Sequence, residues 1–232
     1  MALTASRTTH GFEMLNPPNS GNRMTHCTLK SGEAAVKGDL VHFEVGLLTV
    51  GVAADTDFCG RAEQTLTATA AGEELQFLDL SPYPVFLCTF TGHEDVTATT
   101  GGTTTIASTS LSASTNDYYN GAYVYIYDGP AKGDCRIVTD FVGSGQTLTL
   151  DKATSQTTTT STKFIILPGP VDGASKGVGP GSPTDLSDAN TINVAKNTGG
   201  LRVYPFKRSV MAEFLKNLTL PVIVADTFFS AP

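Results

Sequence analysis

Side chains capable of chemistry are few in this chain and poorly grouped. The densest set is His93-Glu94-Asp95, an imidazole beside two carboxylates, which is the raw material of general acid–base catalysis or of a metal ligand set. Either use needs further groups converging from elsewhere, and the position after Gly92 and before a threonine-rich stretch reads instead as a solvated turn. His10, His26 and His42 stand alone. Asp117, Asp128, Asp134 and Asp140 do not follow the spacing of a calcium-binding loop and read as turn formers. Cys27, Cys59, Cys88 and Cys135 are scattered without a C-x-x-C pair, the pattern of reduced thiols partly buried in strands. The chain has no phosphate-binding loop, no nucleophile elbow and no zinc helix. No catalytic residue, cofactor or metal is therefore expected, and the chain does not read as an enzyme. Lys37-Gly38-Asp39 and Lys132-Gly133-Asp134 repeat a tripeptide that adhesion ligands use, and both read as Gly-Asp turns opening strands. Asn217-Leu218-Thr219 matches the glycosylation sequon, which has meaning only in a secreted chain.

The tyrosines are the other group with binding potential. Tyr118, Tyr119, Tyr123, Tyr125 and Tyr127 could stack on a sugar. They fit equally well at a core margin or a subunit interface, where ring and hydroxyl both find partners. Core or interface is preferred over glycan binding.

These residues must be positioned by strands. In Tyr123 to Tyr127 the tyrosines alternate with Val124 and Ile126, the period-2 pattern of a sheet with two different faces. Asp128-Gly129-Pro130 and Lys132-Gly133-Asp134 reverse the chain. A second strand, residues 135–141, is expected to place Cys135, Ile137, Thr139 and Phe141 on one side and Arg136, Val138 and Asp140 on the other. Gly143-Ser144-Gly145 then turns into residues 146–150. Upstream, from Met24 to Thr91, short strands recur with turn signals between them: 40–44, 47–52 after Gly46, 64–69, 74–80 and 85–90. Residues 92–115 read as a flexible linker or, around Ile106 and Leu111, as an edge strand. The Gly/Pro-rich stretch Pro168 to Pro183 is a loop. Strands are expected at 191–195 and 201–204. Val210, Met211, Phe214, Leu215 and Leu218 share one helical face, with Ser209 as a candidate cap.

Composition sets the outer bounds. The 232 residues are 40% hydrophobic, enough to bury a core, and only 16% charged. Fifteen basic against 22 acidic residues give −7, without a basic run, which argues against a nucleic-acid surface. No stretch approaches a membrane span and the first residues lack a secretory pattern, so a protein made in the cytoplasm is expected. The fold class is all-β: small β-barrel or sandwich modules with Thr/Gly-rich connections and at most one short helix near the C-terminus. The expected divisions are an N-terminal arm (1–23), a barrel-like module (24–96), a central β module (97–167) and a Gly/Pro-rich loop with C-terminal strands and helix (168–232). The arm is either loose or ordered by a partner, and the apolar end of the chain either returns to the core or docks on one.

Residues 97–167 resemble a module of tailed-bacteriophage structural proteins. A threonine-rich lead precedes Asp117-Tyr118-Tyr119-Asn120-Gly121, an alternating strand, Asp128-Gly129-Pro130, Lys132-Gly133, and Arg136-Ile137-Val138-Thr139-Asp140-Phe141. The N-terminal module is similar to head-decoration (capsid cement) proteins through Gly38-Asp39-Leu40-Val41, Val50-Gly51-Val52-Ala53, Gly72-Glu73-Glu74-Leu75 and Val85-Phe86-Leu87. The resemblance implies a non-enzymatic protein on the outer surface of a phage head, bound to the major capsid protein and to itself, as a homotrimer first and a dimer second. Contacts with the capsid or a second subunit are then expected from Phe12, Met14, Leu15, Tyr118, Tyr119, Tyr123, Tyr125, Phe214, Phe228 and Phe229. A tail, neck or fibre-base protein is the related alternative, and a carbohydrate-binding module acting on a host-surface glycan is the unrelated one.

Overall fold

The alternation at Tyr123–Asp128 is realised as a strand buried on both faces. Val124 and Ile126 point into one core, while Tyr123 and Tyr125 point into another. That double burial organises the molecule, seen here in a computed structural model describing residues 13–14, 24–52, 55, 57–70, 72–79, 86–167, 183–188, 191–194, 201–203 and 211–224. The chain is all-β, with one short α-helix, Met211–Lys216, among the described residues.

Three curled sheets and a two-stranded pair, Ala34–Ala35 with Leu66–Thr67, make up the described fold. The first is antiparallel, in the order Met24–Thr28, Glu74–Asp79, Phe58–Ala62, Leu40–Glu44, Leu47–Val50. It curls until its ends meet at a parallel bridge between Leu29 and Leu48, where the Lys30 amide donates to the Leu48 carbonyl at 2.8 Å. Its interior is filled by Leu29, Val41, Leu48, Cys59, Leu75 and Phe77. Gly60 stands where the Phe77 ring occupies the space a Cβ would need.

The second sheet has seven strands, in the order Glu94–Thr97, Lys163–Ile166, Tyr123–Asp128, Cys135–Val142, Thr147–Leu150, Thr105–Ala107, Thr100–Gly101. Its two end strands are one continuous segment, residues 94–101. The Ala98 amide donates to Thr162 on one side and the Thr99 amide to Ala107 on the other, so a bend between them closes the sheet on itself. The threonine-rich lead is thus part of the barrel. The Thr158 hydroxyl donates to the Gly102 carbonyl at 2.8 Å, and Thr154 reaches Thr103 at 3.0 Å.

Strict alternation fails in Cys135–Val142. A register shift between Val138 and Asp140 lets Val138 and Phe141 share the barrel interior, although the two-residue period puts them on opposite faces. Cys135 and Ile137 face the other core.

The third sheet links Phe86–Thr91 to the C-terminal segments. Its pairings run in a ring through Thr191–Asn193, Pro183–Asp188, Leu201–Val203 and Thr219–Val224 back to Phe86–Thr91, and Glu13–Met14 adds to the same strand. The Thr191–Asn193 pairing is parallel. The helix follows the same physics: Met211 and Leu215 are buried one turn apart. Its end is satisfied by Asn217 Nδ2, which donates to the Glu213 carbonyl at 3.0 Å. Ser209 and the 168–182 stretch lie outside the described residues.

One core joins the three larger sheets. Leu40 and Phe58 come from the first, Tyr123, Tyr125 and Ile165 from the second, and Phe86, Cys88, Ile192 and Val222 from the third, with Met211 and Leu215 of the helix.

Candidate functional site

The acid–histidine cluster lies on an end strand of the second barrel, and its carboxylates are already engaged. Glu94 Oε1 accepts the Tyr119 hydroxyl at 2.6 Å and the Ser112 hydroxyl at 2.6 Å, while Oε2 accepts the Ser112 amide at 2.9 Å. Burial and then the Glu94 hydrogen bond hold the Tyr119 phenol well above its ordinary pKa. Tyr119 is fully buried and meets Tyr118 and Phe141 edge to face, with ring centres 4.9 and 4.8 Å apart. On the other face of the strand Asp95 accepts the Tyr127 hydroxyl, and burial followed by Asp95 pushes that phenol up as well. His93 packs edge to face on Phe90 at 5.3 Å, and burial holds its imidazole below the ordinary range. Successive carboxylates therefore fasten two tyrosines on opposite sides of one strand. Each holds a neutral phenol in place, and Glu94 has three donors on it.

The thiols and aspartates are similarly placed for structure. Cys59 is buried, donates toward the Val41 carbonyl at 3.4 Å, and has its pKa pushed up to about 12 by burial. Cys88 is wholly buried and also shifted up, so neither presents a ready thiolate. Asp117 accepts from Asn120 at 2.7 Å, Asp128 pairs with Lys163 at 3.1 Å, and Asp134 pairs with Arg136 at 3.1 Å. Among the described residues no three His, Cys, Asp or Glu side chains converge as a metal site. A cleft of 480 Å³ opens between the second barrel and the helix, lined by Tyr123, Asp134, Cys135, Arg136, Asp151 and Lys152 among others. The Arg136 guanidinium there already donates to the Ala153 and Cys135 carbonyls and pairs with Asp134.

Of the residues expected at an interface, Tyr119, Tyr123 and Tyr125 are buried inside this chain, at 0%, 5% and 6% exposure. Tyr123 and Tyr125 lie between sheets of one molecule, with Phe214 half-buried against the same core. Tyr118 packs on the edge of the second barrel's interior. Met14 pairs with Phe86 through its backbone. Phe12, Leu15, Phe228 and Phe229 lie outside the described residues.

The exposed apolar surface is elsewhere. Six large hydrophobic residues are exposed among those described, and five of them, Met24, Val36, Val45, Leu47 and Val52, belong to residues 24–52, against Val142 alone from the second barrel. Val45 is 98% exposed and sits at φ +50° in the two-residue turn between Leu40–Glu44 and Leu47–Val50, with Gly46 at φ +82°. The tight turn needs two left-handed residues, a conformation that strains a β-branched side chain. The Val45-Gly46 dipeptide between two apolar runs was the available sequence signal.

The chain matches no family model, no curated protein and no solved structure.

Proposed function

We propose that this protein is a virion structural protein of a tailed bacteriophage, a head-decoration (cement) protein that binds the outside of the shell and joins neighbouring major capsid subunits. It works by surface burial, with no bond made or broken, and it associates with copies of itself. The observation that carries this reading is the exposed apolar set at Met24, Val36, Val45, Leu47 and Val52. It falls on the module that resembles decoration proteins, and its most exposed member occupies a strained turn that folding alone does not favour. Sheets closed by backbone pairing support the same reading, because a preformed surface loses little entropy on docking. Stabilisation appears only in the assembled state, since a ligand of the shell shifts its unfolding by mass action.

Counting copies per particle tests the assignment. A shell protein is present in hundreds of copies, whereas a tail, neck or fibre-base component is present in about a dozen or fewer, set by the symmetry of its station. Particles that contain none would remove the virion reading altogether.

A further inference from the structure

Among the described residues, most strand edges of the three larger sheets are closed. The second sheet is joined end to end by residues 94–101, and the pairings of the third run in a ring. In the first sheet the outer side of Leu47–Val50 is taken up: the Leu48 carbonyl accepts from Lys30, and the Val50 amide donates to the Glu33 carboxylate at 3.3 Å. Met24–Thr28 is different. The Leu29 amide donates to Glu73 and the Lys30 amide turns the other way to Leu48, so antiparallel alternation directs residues 25, 27 and 29 toward Glu74–Asp79. The amides and carbonyls of Met24 and His26 then point outward, on the side where Met24–Thr28 has no neighbouring strand among the described residues. The strand is exposed at Met24, Thr25 and His26. It carries no proline, lysine or carboxylate, the usual means of blunting an open edge.

We infer that this edge joins two copies of the chain, strand Met24–Thr28 pairing antiparallel with its own twin across a twofold axis. The register is constrained. Pairing centred on His26 would bring Met24 of the second copy beside Thr28, where the Leu29–Leu48 bridge has already placed the hairpin strand. Pairing centred on Thr25 instead sets Met24 beside His26, the two positions whose backbone groups point outward. Met24 then exchanges both backbone hydrogen bonds with His26 of the second copy, and His26 does the same with Met24, so every outward group at the two positions is satisfied. Thr25 faces Thr25 across the axis, a favourable cross-strand pair with no charge to repel. The exposed Met24 side chain is covered by the opposing strand. Such pairing is isologous, so it selects a dimer over a trimer for self-association. An edge this short makes a weak dimer, one that fills at high concentration or on a crowded surface.

Sedimentation equilibrium of the full chain, from about 1 µM to about 1 mM, reads this directly. The wild type is expected to show a monomer–dimer equilibrium. His26→Pro removes only an outward amide, and Thr25→Lys sets two ammonium groups face to face; each is expected to weaken dimerisation about tenfold or more with the melting temperature retained. As a check independent of those variants, Thr25→Cys is expected to cross-link copies under oxidation, since directly opposed strand positions suit a disulfide, while Val142→Cys is not. A wild type that stays monomeric throughout, a trimer, or a Thr25→Cys chain that fails to cross-link would overturn the inference. None of these results depends on whether the protein binds a phage head.

Discussion

Tyr119 donates its hydroxyl to Glu94 across the second barrel at 2.6 Å, from a ring with no exposure to solvent. The bond ties the loop before Tyr123–Asp128 to the strand that closes the barrel. Removing the hydroxyl by Tyr119→Phe deletes one charge-assisted bond and is expected to destabilise the fold by about 1–2 kcal/mol in urea unfolding. Glu94→Ala is expected to be worse, because it leaves the phenol and both Ser112 donors without their acceptor. A double-mutant cycle of the two should return a coupling of about 1 kcal/mol or more.

Stability should bend at both ends of the pH scale. Tyr119 and Tyr127 have folded pKa values above the ordinary phenol, so the folded state holds these protons more tightly than the unfolded chain. Their contribution is complete below about pH 10 and is lost as pH rises toward the folded values. His93 has the opposite sign: its folded pKa is depressed, so the unfolded chain takes up the proton first and stability falls as pH drops below about 6.5. Urea midpoints across pH check both limbs, and His93→Phe should flatten the acid one.

Gly60 is a packing position within a strand whose five residues are all buried. A methyl group there runs into the Phe77 ring, itself 1% exposed and held in the interior of the first sheet. Gly60→Ala is expected to lower stability by about 1–3 kcal/mol through overpacking. Gly133→Ala is the control of different origin. Its Cβ meets nothing, so any loss reports backbone strain at φ +94°.

Val45 should separate stability from binding. Val45→Asn places a residue that tolerates the left-handed turn and is expected to raise stability by about 1 kcal/mol, read as a higher urea midpoint. The same change removes the most exposed apolar side chain of the proposed docking surface, and binding to heads should weaken by about tenfold.

Local pattern made part of this fold legible. Tyr123–Asp128 announces itself because its two faces carry different side chains, and the short helix because Met211 and Leu215 fall one turn apart. Phe58–Ala62 carries no such mark: Gly60 and Arg61 interrupt the apolar pattern, and their fit depends on the Phe77 ring and on Glu63, 2.9 Å from the guanidinium. The bulge near Thr139 has no signature either, so the side-chain alternation of Cys135–Val142 could not be carried through. The threonine runs look like linkers because the partners of their hydroxyls lie far away in sequence, as Thr158 and Gly102 do. The same holds for the candidate site. His93-Glu94-Asp95 stands out as a cluster, but that its acids hold Tyr119 and Tyr127 is a property of the closed barrel.

Whether the protein cements a phage head is decided by mixing it, purified, with expanded heads that lack it and following the heads by calorimetry. Binding is expected to be saturable and stoichiometric and to raise the melting temperature of the decorated shell, both effects being reduced in parallel by Val45→Asn. Heads that take up none of the protein, or that melt at the same temperature with and without it, would contradict the proposed function.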